Sequence, residues 1–187
     1  MSQTENLLFA TADQSEPPTL IIENHPHDSR VKIREDGTFQ TLNGKMGTGG
    51  GNTPMIVENM VVRRLTPLEC ERLQGYPDGW TDIGDWTDSK GKKHKGEADS
   101  PRYKALGNSI ALPFWEWLAE RMIKILQEEG TEKPTMASLF DGIGGFPLVY
   151  SRHGCDPVWA SEIEEFPIAV TKKHFPEDEE GEKGGNA

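Results

Sequence analysis

Five residues, Asp141-Gly142-Ile143-Gly144-Gly145, follow the apolar run Met136-Ala137-Ser138-Leu139-Phe140 and precede Phe146-Pro147-Leu148-Val149. Glycines between a strand and a helix let the backbone pass close to a ligand, and the helix start offers free N–H groups. Glu162 stands 20 residues after Gly142, at the end of a second apolar run. A carboxylate in that place accepts hydrogen bonds from ribose hydroxyls. A dinucleotide fingerprint would put a third glycine at position 147, where this chain has Pro147. That argues against a nicotinamide dinucleotide and for a nucleoside ligand without a pyrophosphate; S-adenosylmethionine fits.

The elements that must hold these residues follow from local signals. Residues 134–176 read β–loop–α–β–α: a buried-type strand at 136–140, a helix with Pro147 near its start, a strand over 156–161 and a helix with Pro167 in its first turn. That order opens a doubly wound parallel sheet. Residues 63–133 read as helical. Thr66, Pro67 and Glu69 make a capping box with proline at the first helical position, and the helix ends at Gly75. A polar loop covers 81–104, and a second helix runs to about Glu129. Its residues Ile110, Phe114, Trp117, Leu118, Met122 and Ile125 recur at helical spacing on one face. Residues 19–62 favour strands and turns, with Asp36-Gly37 predicting a hairpin and a glycine loop at 43–54. Residues 1–18 and the acidic 177–187 have the composition of disordered ends. The fold class expected is α/β: a partial doubly wound parallel sheet with a small β-rich piece.

Composition sets the outer bounds. The chain has 187 residues, 34% of them hydrophobic, with 20 Gly and 13 Pro, so loops are abundant. No apolar run is long enough to span a bilayer. The first 18 residues lack the basic and apolar regions of a secretory signal. Two cysteines, Cys70 and Cys155, suit a reducing, cytoplasmic compartment better than a disulfide framework. A net charge of −11 argues against simple non-specific nucleic-acid binding, leaving local clusters such as Arg63-Arg64 and the Lys90–Lys95 segment. His25 and His27 lack nearby partners for a metal, and no metal site is expected.

These motifs together carry a resemblance. "SLFDGIGGF" followed by "WASEIE" resembles motifs I and II of the DNA (cytosine-5) methyltransferases. "RRLTPLECERLQGYPDGW" resembles their motif IX, and "RYKALGNSIALP" their motif X. The stretch from Glu23 to Pro54 is similar to the end of the target-recognition domain of prophage-type members. The resemblance implies a Rossmann-like fold that binds S-adenosylmethionine and methylates cytosine C5 in double-stranded DNA. It places Phe140, Asp141, Gly142, Gly144, Gly145, Asn108 and Ser109 around the cofactor, with Glu162 on the ribose and Ile163 on the adenine. It places Thr41, Leu42, Gly44, Lys45, Arg63 and Arg64 on the DNA side, Thr41, Leu42 and the glycine loop against the major groove, with Glu69 and Arg72 supporting.

The motif order departs from the family's. Usually motif I comes first and motif X last; here the order is recognition tail, IX, X, I, II. In the family fold motif X packs beside motif I, so the short join at 128–135 is geometrically reasonable, and termini that lie close tolerate permutation. The order fits a permuted member, a subunit of a split one, or the tail of one gene fused to the head of the next. The family's Pro-Cys nucleophile, its Glu-Asn-Val glutamate and its motif VIII arginines have no counterpart here, and neither Cys70 nor Cys155 sits in a matching context. No catalytic residue is therefore expected in this chain. A complementary methyltransferase chain is the expected partner, and a non-catalytic remnant or accessory subunit is the alternative.

Overall fold

The computed structural model describes residues 20–23, 32–46, 53–58 and 61–176. The expectations for 1–18, His25, His27, most of the glycine loop and the acidic end lie outside the described residues. Four short strands, β1 (Leu20–Glu23), β2 (Lys32–Arg34), β3 (Met55–Glu58) and β4 (Val61–Arg64), form an antiparallel sheet in the order β2-β1-β3-β4. Alternation places Ile21 and Ile56 on its inner face. The Asp36-Gly37 turn forms: Gly37 has φ 73°, and Asp36 Oδ1 accepts from Thr38 N at 3.0 Å. It does not lead into a second strand. β2 pairs instead with β1, register Ile22 to Ile33, because β1 supplies the apolar partner that the polar 38–41 segment lacks. Arg63 and Arg64 belong to β4 and so to this sheet, not to the helical segment.

Helix α1 (Pro67–Gln74) has the predicted ends. Thr66 and Glu69 exchange both capping-box hydrogen bonds, and Gly75 closes the helix in the left-handed region at φ 81°. An eight-residue helix is too short to persist alone, so caps and packing hold it. The stretch expected to be a plain polar loop contains the hairpin β5 (Trp86–Thr87) and β6 (Lys93–His94), then helix α2 (Asp99–Gly107). Helix α3 (Leu112–Glu128) presents a different face from the expected one. Leu112, Ala119 and Ile123 are buried, whereas Phe114, Trp117, Met122 and Ile125 are exposed. The helix is apolar on more than one side, so periodicity could not choose the face that meets a neighbour.

The last third follows the expected βαβα order: β7 (Thr135–Leu139), α4 (Gly145–Arg152), β8 (Asp156–Ser161) and α5 (Glu165–His174). β7 and β8 are parallel neighbours. β7 is not the fully covered strand expected; only Ser138 is buried, and Leu139, Val158 and Trp159 face outward. One core joins all the parts, running from Ile21 and Ile56 through Leu65, Tyr76 and Leu106 to Ile143, Val149 and Val170. Among the described residues no helix is long and apolar enough to cross a membrane.

Candidate cofactor site

The glycine loop joins β7 to α4 through an uncommon backbone. Phe140, Gly142 and Gly144 have φ of 55°, 78° or values between. Positive φ at a bulky residue such as Phe140 is a strained conformation of the kind that clusters at ligand sites. Gly145 is required for a second reason: a Cβ there would lie 2.4 Å from the Tyr76 hydroxyl. Tyr76 in turn shares a hydrogen bond with the Ser109 hydroxyl, and Trp80 Nε1 donates to the Ile143 carbonyl at 2.8 Å. The residues after α1, the residues after α2 and the glycine loop are thereby locked together.

Glu162 meets this loop directly. Its Oε2 accepts from Gly142 N at 2.7 Å, and its Oε1 accepts from Ile163 N at 2.6 Å and Glu164 N at 2.9 Å. The predicted 20-residue spacing thus becomes a contact that fixes the carboxylate at the end of β8. Asp141 lies behind the loop, buried, and both its side-chain oxygens lack hydrogen-bond partners. Burial pushes its pKa above the usual carboxylate range, and the Glu162 charge adds to this. Both changes leave the carboxyl more readily protonated than an exposed aspartate.

A cavity of about 390 Å³ opens beside the loop. This lies within the range of about 300–1,000 Å³ common for small-molecule sites. Phe140, Gly142 and Glu162 line it together with Pro101 and Lys104 of α2 and Asn108 just beyond that helix. Trp86 and His94 of the hairpin and Phe166 and Pro167 of α5 complete the lining named here. Lys104 Nζ bridges to Glu164 at 2.8 Å, tying α2 to the start of α5. A carboxylate, a strained glycine loop, apolar walls and an orphaned buried carboxylate behind them fit a nucleoside-bearing ligand with a cationic end.

The predicted cofactor residues separate into two groups. Asn108, Phe140, Gly142 and Glu162 line the cavity. Asp141, Gly144, Gly145 and Ser109 stand outside its lining and shape the loop. Ile163, expected on the adenine, is 84% exposed and outside the cavity lining. Trp86, His94, Lys104 and Phe166 were missed from the sequence; the Lys90–Lys95 charge cluster masked an aromatic pair.

The residues expected on the DNA side also divide. Leu42 packs against the core. Arg63 is held by Glu69, with Nη1 and Nη2 each donating at 2.9 Å, and by Glu58. The Arg63 guanidinium holds the Glu69 carboxyl down to about 2. Gly44 sits against Asn108, where a Cβ would lie 2.0 Å from the amide oxygen. Thr41, Lys45 and Arg64 are exposed.

A family model described as "C-5 cytosine-specific DNA methylase" matches residues 4–124, more than half of the chain. The chain belongs to the C-5 cytosine-specific DNA methylase family. The match ends before the glycine loop, whose reading rests on its own residues and geometry. Similar proteins include a "DNA N-6-adenine-methyltransferase" of Escherichia phage P1, 42% identical over 95 residues, covering 39% of this chain and 12% of the phage protein. The Type II methyltransferase M.Bsp6I of Bacillus sp. (strain RFL6) is 32% identical over 94 residues, covering 50% of this chain and 26% of the relative. The Type II methyltransferase M.SsoII of Shigella sonnei is 28% identical over 126 residues, covering 66% and 26%. The methylase chain described here thus matches between 12% and 26% of the length of these relatives. Type II methyltransferases place the family in DNA methylation and restriction-modification.

Proposed function

We propose that this chain is a segment or subunit of a DNA (cytosine-5) methyltransferase that binds S-adenosylmethionine and part of the DNA, and takes its nucleophile from a complementing chain or segment. The observation that carries this is the convergence of Asn108 and the 140–142 loop, with Glu162, on one cavity. When bound, the cofactor supplies an electrophilic methyl group. Glu162 orients its ribose, Phe140 and Asn108 border it, and the loop amides approach its polar end.

The chain's own cysteines support dependence on a complement. Cys70 is fully buried, and burial, with the charges of Glu69 and Glu71, pushes its thiol up to about 12. Cys155 is also buried, and burial raises its pKa. Neither holds the thiolate that attack on cytosine C6 requires. The outward Leu139, Val158 and Trp159 fit burial by further elements of a doubly wound sheet, carried in the part of the relatives that this chain does not span. In this reading residues 19–62 are the tail of a target-recognition domain. Thr41, Lys45 and Arg64 face double-stranded DNA, Gly44 sets the loop that carries Lys45, and Leu42 and Arg63 position them.

Calorimetry with S-adenosylmethionine on the whole chain tests the site. Losing hydrogen bonds to a charged group costs about 1.5–3 kcal/mol, so Glu162→Ala weakens binding roughly 10- to 100-fold. Unchanged affinity in that variant removes the assignment. Labelled-methyl transfer to DNA tests the rest: none by the chain alone, and 5-methylcytosine on complementation. N6-methyladenine as the product would move the acceptor to the base named for the phage P1 relative. Transfer by the chain alone would overturn the dependence on a partner.

A further inference from the structure

The β5–β6 hairpin lines the cavity through Trp86 and His94. Its construction is elaborate for two-residue strands. Trp86 stacks on His94 with ring centroids 4.1 Å apart and planes 10° apart, and Phe166 of α5 meets Trp86 edge-on at 5.7 Å. Asp88 organises the turn: Oδ1 accepts from Lys90 N at 3.0 Å and Lys92 N at 2.9 Å, and Oδ2 bonds His94 Nε2 at 2.8 Å. Asp85 closes the base, accepting from Lys95 Nζ at 2.8 Å and Gly96 N at 3.1 Å. Gly96 lies so near Gly84 that a Cβ would come within 2.3 Å of its backbone.

The hairpin is also anchored across the chain. Ser89 N donates to Glu165 Oε2 at 2.9 Å, and the Ser89 hydroxyl donates to Oε1. Glu165 opens α5, three residues beyond Glu162. The element that carries Trp86 is therefore tethered to the same turn that carries the ribose carboxylate. An isolated hairpin of this size is marginal in water, so these anchors are what fix the aromatic pair at the cavity.

We propose that the β5–β6 hairpin is a cofactor-binding element, in which Trp86, backed by His94, is a wall against which the nucleoside of the cofactor packs. The inference rests on the cofactor reading above and deepens it. Trp86 is the only tryptophan on the cavity wall among the described residues, and its flat apolar surface suits a purine nucleoside better than the polar amino-acid end. His94 and Phe166 hold the indole in place, which lowers the entropy lost on binding. The lysines at 90, 92 and 93 then belong to the turn of a pocket cover, with Asp88 setting its shape.

The test is calorimetry on the full chain with S-adenosylhomocysteine and, separately, adenosine. Aromatic stacking on a base is worth a factor of roughly 5 to 150 on alanine substitution. Trp86→Ala weakens both ligands by the same factor within that range, Trp86→Phe recovers most of it, and Ser89→Ala gives a smaller loss through the slackened tether. Wild-type affinity in Trp86→Ala, with Glu162→Ala still impaired, overturns the hairpin's role and leaves the cofactor site standing. Loss of S-adenosylhomocysteine with adenosine binding intact places the contact on the amino-acid end and overturns it too. A lowered melting temperature in Trp86→Ala, with no rescue by Trp86→Phe, makes the hairpin scaffold only. Failure of the wild-type chain to bind either ligand overturns this inference and the cofactor reading together.

Discussion

Glu71 gives the sharpest test of how the glycine loop is held. It is fully buried, one turn into α1. Its Oε2 accepts from Gly79 N at 2.7 Å, its Oε1 accepts from Thr81 N at 2.8 Å and from the Thr81 hydroxyl, and Arg102 Nη2 approaches at 3.4 Å. These bonds shape the 79–81 turn around Trp80, whose indole donates to the Ile143 carbonyl and stacks on His174 at 3.6 Å. A helix in one motif thus fixes the loop of another through one carboxylate. Removing one partner of a buried charge network costs about 3–5 kcal/mol, because the other groups stay buried and unpaired. Glu71→Ala should then lower the melting temperature by roughly 6–20 °C for a chain of this size. Glu71→Gln keeps the volume but turns an NH2 toward amide donors, so it loses about 1.5–3 kcal/mol. Thermal unfolding followed by circular dichroism reads both. Affinity for S-adenosylhomocysteine, measured well below the transition, should fall in both, since the 140–145 loop loses its support. A Glu71→Gln protein with wild-type melting and wild-type affinity would refute this chain of contacts.

Three further outcomes follow from the same structure. The folded-state pKa of Glu69, depressed by Arg63, means that its stabilisation is complete above the ordinary glutamate range and is lost as pH falls from about 4.5 toward 2. Arg63→Ala should flatten that part of an acid-unfolding curve, and an unaltered curve would refute the link. Gly107→Ala should destabilise more than Gly44→Ala, by melting temperature, because its Cβ would meet the Asn43 backbone at 2.0 Å whereas that of Gly44 meets the Asn108 side chain, which can turn away. Cys70 should resist a thiol reagent at pH 8 in the folded chain and react on denaturation; prompt labelling would contradict its burial and raised pKa.

What could be read from the sequence was what local chemistry dictates. The Thr66–Glu69 capping box, the Gly75 stop and the βαβα order of the last third depend on neighbours within a few residues. The glycine loop and Glu162 were legible for the same reason, since the 20-residue spacing is set by one strand–helix–strand unit. The hairpin at 86–94 was not legible, because its anchor is Glu165, 76 residues away. Nor was the buried face of α3: Phe114, Trp117 and Ile125 compete with Leu112, Ala119 and Ile123 in one apolar helix, and only the position of α4 decides. Arg63 illustrates a third limit: the sequence shows an arginine pair, but not that two carboxylates, Glu58 and Glu69, pair with the first of them.

The unusual motif order is compatible with these contacts because the order of segments and their adjacency are separate matters. α3 starts at the end of the segment that resembles motif X, and α4 at the end of the segment that resembles motif I. The two helices lie together: Trp115 meets Phe146 at 4.7 Å, and Glu116 takes both Arg152 Nη1 at 2.6 Å and His153 Nε2 at 2.7 Å. None of these residues is in the join at 128–135, so the helix pair is specified by side chains that would meet whichever end of the chain came first. The join only has to cover the distance from the end of α3 to β7, where Lys133 pairs with Asp156 at 2.9 Å. Loop-closure entropy grows slowly with length, so a short join favours the pairing modestly while the packed interface fixes its geometry. The cavity that Asn108 and Glu162 line thus rests on packing, which is compatible with the segment order of the proposed reading.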